Sequence, residues 1–392
     1  MTSRPAKSFA ARRQALLDRH EELLARPNPA VDDDFGLWTR RERPILTAAH
    51  APVAWRYDLA EDTNPYLLER MGINAAFNAG AIHHDGRFTV CVRVEGDDRK
   101  SFFALADSPD GVEDWRFRAK PVWIEPNDPA ETNHYDMRLT RHEDGWIYGL
   151  FCVERHDDST DDLSAAIAQC GIVRTRDLQT FERLPDLRTP SAQQRNVVLH
   201  PEYVDGKYML YTRPQQGFIS VGAGGGIGYG FCESMDGAVI DEELIVDPRA
   251  YHTVKELKNG QGPAPLKTEI GWIHCAHGVR NTAAGLRYTL YAFVTDLDEP
   301  WRVTHRPAGH LLAPRRDERV GDVSNVAFAN GWIEREGTVY LYYGASDTRL
   351  HVATTPLEHL VDYCVNTPED TGTTWGNNRL RLELIERNSK IA

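Results

Sequence analysis

Two patterns of hydrophobic and polar positions divide this chain. Phe9, Leu16, Leu17, His20, Leu23 and Leu24 recur at helical spacing among charged residues, and the pattern stops at Arg26-Pro27-Asn28-Pro29. That spacing predicts one amphipathic helix. Beyond it, apolar residues alternate or form short runs broken by Asp-Gly, Pro and Asn, so the remainder reads as strands. A turn glycine followed by an aromatic, alternating strand recurs at Gly86, Gly145, Gly206, Gly271 and Gly337, at spacings of 59, 61, 65 and 66 residues. In step with it, a strand ends in a Ser/Thr/Asp turn at Ala106–Asp110, Val173–Asp177, Cys232–Asp236, Val294–Leu297 and Ala353–Leu357. A long constant period with no helix between copies implies one four-stranded unit repeated, and radial closure of five such units deals with their sheet edges. The expectation is an all-β fold, a five-bladed β-propeller over residues 41–392 with an N-terminal α-helical extension over residues 1–40. A β-sandwich of repeated hairpins is the alternative, but a sandwich gives no reason for a constant long period.

Composition narrows the function classes. A chain of 392 residues with 26% charged and 41% hydrophobic residues can bury a large core without disulfides or a structural metal. The 45 basic against 58 acidic residues leave a net charge of -13, which opposes non-specific binding to nucleic acid or to an anionic bilayer. No apolar run approaches the roughly 20 residues of a spanning helix. Met1 to Leu17 carry Arg and Ser and no acid, as transit peptides do, but Asp18, Glu21 and Glu22 follow at once, so a cytoplasmic location is expected. Cys91, Cys152, Cys170, Cys232, Cys275 and Cys364 are scattered singly, as reduced, buried thiols would be. His274, Cys275 and His277 lie in an alternating run whose neighbours face opposite sides of a strand, so no metal is expected there.

Three stretches carry candidate chemistry. Asp136 sits between Tyr135 and Arg138, where a cation and a phenol can tune an acid; a plain Asp–Arg ion pair at a strand start is the simpler reading. Arg195 and Asn196 precede one apolar strand and Arg213 ends the next, while Lys267 and His277 flank the fourth hairpin. Meeting on adjacent blades, these would make a phosphate cradle, with paired donors from Arg, a point charge from Lys and an amide from Asn; apart, they are surface cations paired with nearby acids. The run Gly222 to Gly230 lacks the Gly-Lys-Ser/Thr ending of a phosphate loop and reads as a flexible or tightly turning loop.

Phe77-Asn78-Ala79-Gly80-Ala81, the strand up to Arg93, Tyr135-Asp136-Met-Arg138, Arg195-Asn196, Arg213, Lys267 and Gly321-Asp322-Val-Ser-Asn-Val together resemble glycoside hydrolase family 130. The pieces run in the family's order over nearly the whole chain, and the wording around Asp136 is most similar to the branch that phosphorolyses mannosylglucose. Ala79 departs from the proline or serine of many relatives, which bears on the sugar contact at that turn. The resemblance implies reversible, inverting phosphorolysis of β-1,4-mannosyl-glucose to α-mannose 1-phosphate and glucose, with inorganic phosphate as substrate and no cofactor. It implies Asp136 as the catalytic acid, acting through the mannose 3-hydroxyl; Arg195, Asn196, Arg213, Lys267 and His277 as phosphate binders; and Asn78, Arg93, Tyr135, Arg138 and Asp322 at the sugar. An inverting hydrolase needs a second carboxylate to activate water, whereas phosphate is already an anionic nucleophile. Alternatives are a β-mannoside hydrolase on the same fold, a non-catalytic sugar-binding propeller, or a phosphorylase with mannooligosaccharide or mannosyl-N-acetylglucosamine as substrate. The apolar stripe of the N-terminal helix predicts a homo-oligomer, because a closed propeller has little room to bury it.

Overall fold

The computed structural model describes residues 8–31, 35–218, 221–222 and 224–391. Residues 1–7, 32–34, 219–220, 223 and 392 fall outside this description, and with them Ala223 of the glycine run.

 Helix α1 (Phe9–Leu24) forms where the periodicity places it, with Ser8 accepting the Ala11 N–H at its start. Its leucines are half-buried and Phe9 is buried, because Arg12 and Arg13 tie it to the backbone of Leu59, Pro65 and Tyr66. The helix packs outside the sheets, on the short helix α2 (Val53–Arg56) and the turn before it, and its own chain covers the stripe only in part.

The remainder is mostly strand. After β1 (Ala30–Val31) and β2 (Thr39–Arg41) the strands run in five successive, mainly antiparallel units that form four sheets, because the last unit joins the first through a parallel pairing at Arg349 and Ala76. The first holds β3 (Ile73–His84), β4 (Arg87–Gly96), β5 (Ser101–Ser108) and β6 (Arg116–Phe117). The second holds β7 (Asn133–Arg141), β8 (Ile147–His156), β9 (Ala166–Thr175) and β10 (Glu182–Leu184). The third holds β11 (Val198–Leu199), β12 (Tyr208–Thr212), β13 (Ile227–Cys232) and β14 (Leu244–Asp247). In the fourth, β15 (Lys258–Gln261) and β16 (Leu266–Thr268) both pair with β17 (Gly271–Thr282), followed by β18 (Gly285–Thr295) and β19 (Val303–His305). The fifth holds β20 (Ala327–Arg335), β21 (Thr338–Ala345) and β22 (Arg349–Pro356), and its outer partner is β2 from the start of the chain. The boundary expected at residue 40 therefore cuts a strand.

The turn glycines open β4, β8, β12, β17 and β21, and the Ser/Thr/Asp turns follow the next strands, β5, β9, β13, β18 and β22. The hydrophobic faces meet between units. Separate clusters join the first unit to the second around Met137 and Phe103, the second to the third around Leu150 and Leu210, and the third to the fourth around Tyr211 and Phe293. Two more join the fourth to the fifth around Ile273 and Leu341, and the fifth back to the first around Tyr342 and Val90. All six cysteines are free and buried.

Two elements depart from the expected strands. Helix α3 (Leu357–Asn366) sets Leu360 and Cys364 into the core between the fourth and fifth units, and helix α4 (Thr374–Asn388) follows it. The glycine run is only half a loop: from Ile227 it is strand β13, which pairs with β12. Close approach of the inner strands depends on small residues. A Cβ on Gly80 of β3 would lie 2.6 Å from the Met137 carbonyl oxygen of β7, and one on Gly331 of β20 would lie 2.4 Å from the Ala81 nitrogen.

Candidate active site

The inner strands carry matching irregularities. Register shifts between Phe77 and Gly80 in β3 and between Tyr135 and Arg138 in β7 put Asn78 and Asp136 into left-handed backbone, with φ of 44° and 60°. Such bulges re-aim a side chain out of strand alternation, and here they aim two at each other. Asn78 Nδ2 donates to Asp136 Oδ1 at 3.1 Å, and both residues are buried. Arg93, from β4, donates to the same oxygen at 3.4 Å and to Glu95 at 2.7 Å, with its guanidinium between the Phe77 and Tyr135 rings. Burial works against the Arg93 charge, but Asp136 and Glu95 outweigh it and hold its pKa above the usual value.

Arg138 is not a partner of the Asp136 carboxylate. It is 1% exposed and donates to the Asp136 backbone carbonyl at 2.7 Å, to Gly262 O at 3.1 Å and to Asn196 Oδ1 at 2.9 Å. The simple side-chain ion pair read from sequence does not form: Arg138 is instead a strut that ties the bulge and the Asn196 amide together.

Beside this strut lies the cationic cluster. Arg195 donates to Tyr135 Oη at 3.2 Å and to Phe218 O at 3.0 Å. Arg213 donates to Gln215 Oε1 at 2.9 Å and, at 3.4 Å, faces His277 Nε2. The Lys258 ammonium lies 5.6 Å from the Tyr288 ring centre. Among the described residues none of these three cations has a carboxylate in an ion pair. Two of the three show the cost in their titration: burial, then Arg195, lowers Arg213 to about 9, and burial, then Arg213 and Arg195, lowers Lys258 to about 8. Arg195 differs: burial works against its charge, but Tyr135, Cys152 and Asp136 outweigh it and hold its pKa above the usual value. Burial and then Arg213 push His277 well below the ordinary histidine value, so it is neutral near pH 7, and its Nδ1 is buried without a partner. Buried unpaired charge is costly unless an anion repays it.

Lys267 is elsewhere. It pairs with Trp272 near the start of β17, away from His277 in the middle of that strand, and its exposed ammonium binds Glu202 at 2.7 and 2.8 Å. Strand β15, whose residues lack an apolar run, supplies the lysine instead, because it pairs Lys258 with Val279 beside His277. Asp322 lies exposed at the rim, bonded to Asn74. The second carboxylate beside Asp136 is Asp347, in a left-handed turn that ends β21; burial first, then the Asp136 charge, raises it to about 7. Lys258, Tyr288 and Asp347 were missed from the sequence. Only Asp347 had a signal, the strand-ending Gly344-Ala-Ser-Asp347 that follows the fifth hairpin.

Similarity to known proteins bears on this arrangement. The model of glycoside hydrolase family 130, described as beta-1,4-mannooligosaccharide phosphorylase, matches residues 49–366. The chain belongs to that family. A 4-O-beta-D-mannosyl-D-glucose phosphorylase of Bacteroides fragilis is 58% identical over 379 residues, which cover 96% of this chain and 97% of that protein. A beta-1,4-mannooligosaccharide phosphorylase of Ruminococcus albus is 30% identical over 79% of this chain and 90% of its own length. In fold, the chain is similar to the beta-1,2-mannobiose phosphorylase of Listeria innocua, with a TM-score of 0.67 and 20% identity, over 83% of this chain and 98% of that one.

Proposed function

We propose that this enzyme phosphorolyses β-1,4-mannosyl-glucose reversibly to α-mannose 1-phosphate and glucose. The observation that carries the reading is the group of buried Arg213 and Lys258 with half-buried Arg195, without carboxylate ion pairs among the described residues of a chain of net charge -13, beside the Asp136 carboxyl. The substrate choice is supported by the 58% identity to the Bacteroides fragilis enzyme. Phosphate held by Arg195, Arg213, Lys258, the Asn196 amide and His277 attacks the anomeric carbon from the face opposite the glucose. The bond to the glucose oxygen breaks, and that oxygen takes a proton that Asp136 supplies through the mannose 3-hydroxyl. Attack from the opposite face converts the β-linkage into an α-phosphate. No base is needed, because phosphate arrives as an anion. Arg93 and Asn78 hold Asp136 and face the mannose, with Tyr135 as a wall; Asp347, able to carry a proton near pH 7, joins them, and Asp322 stands farther out at the rim.

The five units are read as the blades of a closed propeller, supported by the five interface clusters, the last of which returns from the fifth unit to the first. The enzyme works without a cofactor, in the cytoplasm and as a homo-oligomer. Helix α1, whose leucines stay half-exposed outside the sheets, supplies the contact expected from sequence.

The test is product analysis with and without phosphate. Mannose 1-phosphate and glucose should appear only when phosphate is present. Comparable release of mannose from mannosyl-glucose in phosphate-free buffer would overturn the assignment in favour of a hydrolase.

A further inference from the structure

We propose, building on the reading of Asp136 as the acid, that Glu95 is a positioning residue for the proton transfer: it holds the Arg93 guanidinium and so keeps that cation from closing on Asp136. Arg93 and Glu95 stand two residues apart on β4, so their side chains share a face of the sheet. Arg93 reaches Glu95 at 2.7 Å but Asp136 only at 3.4 Å, and the two carboxylate side chains are 18% and 13% exposed. The closer contact is braced from several sides. Arg93 Nε donates to Ser101 Oγ at 3.0 Å, Ser101 stands opposite Glu95 on β5, and its N–H donates to Asn133 of β7 at 2.8 Å. The guanidinium carbon lies 4.6 and 4.7 Å from the centres of the Phe77 and Tyr135 rings.

That brace has a chemical consequence. An arginine in full contact lowers the pKa of an aspartate by roughly 1–3, which keeps the carboxyl ionised where it must donate a proton. Among the described residues no other cation bonds the Asp136 carboxylate: Arg138 donates to the backbone carbonyl, and Arg195 to Tyr135 Oη and Phe218 O. Asn78 gives it a neutral N–H. Its other titratable neighbours do not attract a carboxylate. Asp347 is negative once it ionises, and burial pushes the Cys152 thiol up to about 11. Arg93 is therefore the cation whose distance sets how readily Asp136 holds its proton, and Glu95 fixes that distance. Glu95→Gln frees the arginine and removes a negative charge beside it, and both changes favour ionised Asp136.

The experiment is kcat for phosphorolysis of mannosyl-glucose from about pH 5 to 9, at saturating phosphate, in wild type, Glu95→Gln and Glu95→Asp, with thermal unfolding as the control for folding. The alkaline limb of Glu95→Gln should lie about one pH unit lower, because Arg93 starts at partial contact. Its kcat should accordingly fall about tenfold on the alkaline side and recover towards wild type in acid, with the KM for phosphate unchanged. Glu95→Asp, which keeps a charge within reach of the guanidinium, should restore most of the loss. The same shift should appear in an Asp347→Asn background, since Glu95 also acts on Asp347. An unchanged profile, a loss equal at every pH, or a shift that vanishes with Asp347→Asn would overturn the role of Glu95. Near-normal turnover of folded Asp136→Asn would bring down the acid itself, whereas an inactive Asp136→Asn beside a wild-type Glu95→Gln profile would sink Glu95 alone.

Discussion

Lys258→Ala separates the lysine that lies in the cationic cluster from Lys267, the lysine that sequence spacing favours. Lys258 is buried beside Arg213 and Arg195 with no carboxylate partner among the described residues, so its charge is useful only when an anion is bound. Removing it deletes one charge-assisted contact to phosphate, worth about 1.5–3 kcal/mol. At about 1.4 kcal/mol per decade, that is a rise of roughly 10- to 150-fold in the apparent KM for phosphate. The assay is initial rate against phosphate concentration at saturating mannosyl-glucose, run beside Lys267→Ala, whose ammonium is held by Glu202 and whose loss should leave the phosphate dependence unchanged. The sign of the stability effect is opposite to that of an ordinary salt-bridged lysine. Because the folded pKa is lowered to about 8, the charged form opposes folding below that pH, and the opposition fades as pH rises through 8 towards the unfolded value. The alanine variant should therefore melt no lower than wild type at pH 7, and wild-type phosphate binding should weaken as pH rises through about 8. Equal phosphate dependence in wild type and Lys258→Ala, or a loss shared by Lys267→Ala, would refute the reasoning.

Asp136→Asn keeps the Asn78 and Arg138 contacts in shape but removes the proton donor, so turnover should fall by roughly 10²- to 10⁴-fold with little change in melting temperature; near-normal turnover of the folded variant would remove Asp136 as the acid. Asp347 has its carboxyl raised to about 7, so ionising it costs stability progressively as pH rises from the usual carboxylate range through 7. Asp347→Asn should consequently be more stable than wild type above pH 7 and similar to it in acid, and a melting difference independent of pH would contradict that. Gly80→Ala places a Cβ against the Met137 carbonyl and should destabilise by about 1–3 kcal/mol through overpacking; an unchanged denaturation midpoint would mean that β3 and β7 can move apart.

The repeat was legible because four-stranded units use the same turn chemistry each time: an Asp-Gly or equivalent glycine into the second strand, and Thr175 or Ser108 bonding the turn after the third. The Asp136 region was legible as chemistry but not as geometry. Arg138 looks like a side-chain partner at two residues' distance, and only the bulge shows that it reaches the backbone carbonyl instead. Lys258 was hidden because β15 is four residues long, Lys-Asn-Gly-Gln, with no apolar alternation to mark it. Helix α3 did carry a signal, Leu357, Leu360, Val361 and Cys364 at helical spacing, which was obscured by reading Pro356-Leu357 as the end of a strand turn. Helix α4 carries no clear core stripe because it has almost no core to face.

Strand β2 completes the fifth unit, yet it leaves the ribosome before any of that unit's other strands. Its partner β22 ends at Pro356, so more than three hundred residues must be made before Thr39 can meet Thr354. Contacts so distant in sequence form late. Until then β22 presents an open edge on which a strand of another nascent chain can settle as readily as β2. Permuting the chain so that residues 30–50 follow Pro356 would turn this long-range pairing into a local one, with faster recovery from denaturant and fewer aggregates as the visible effects.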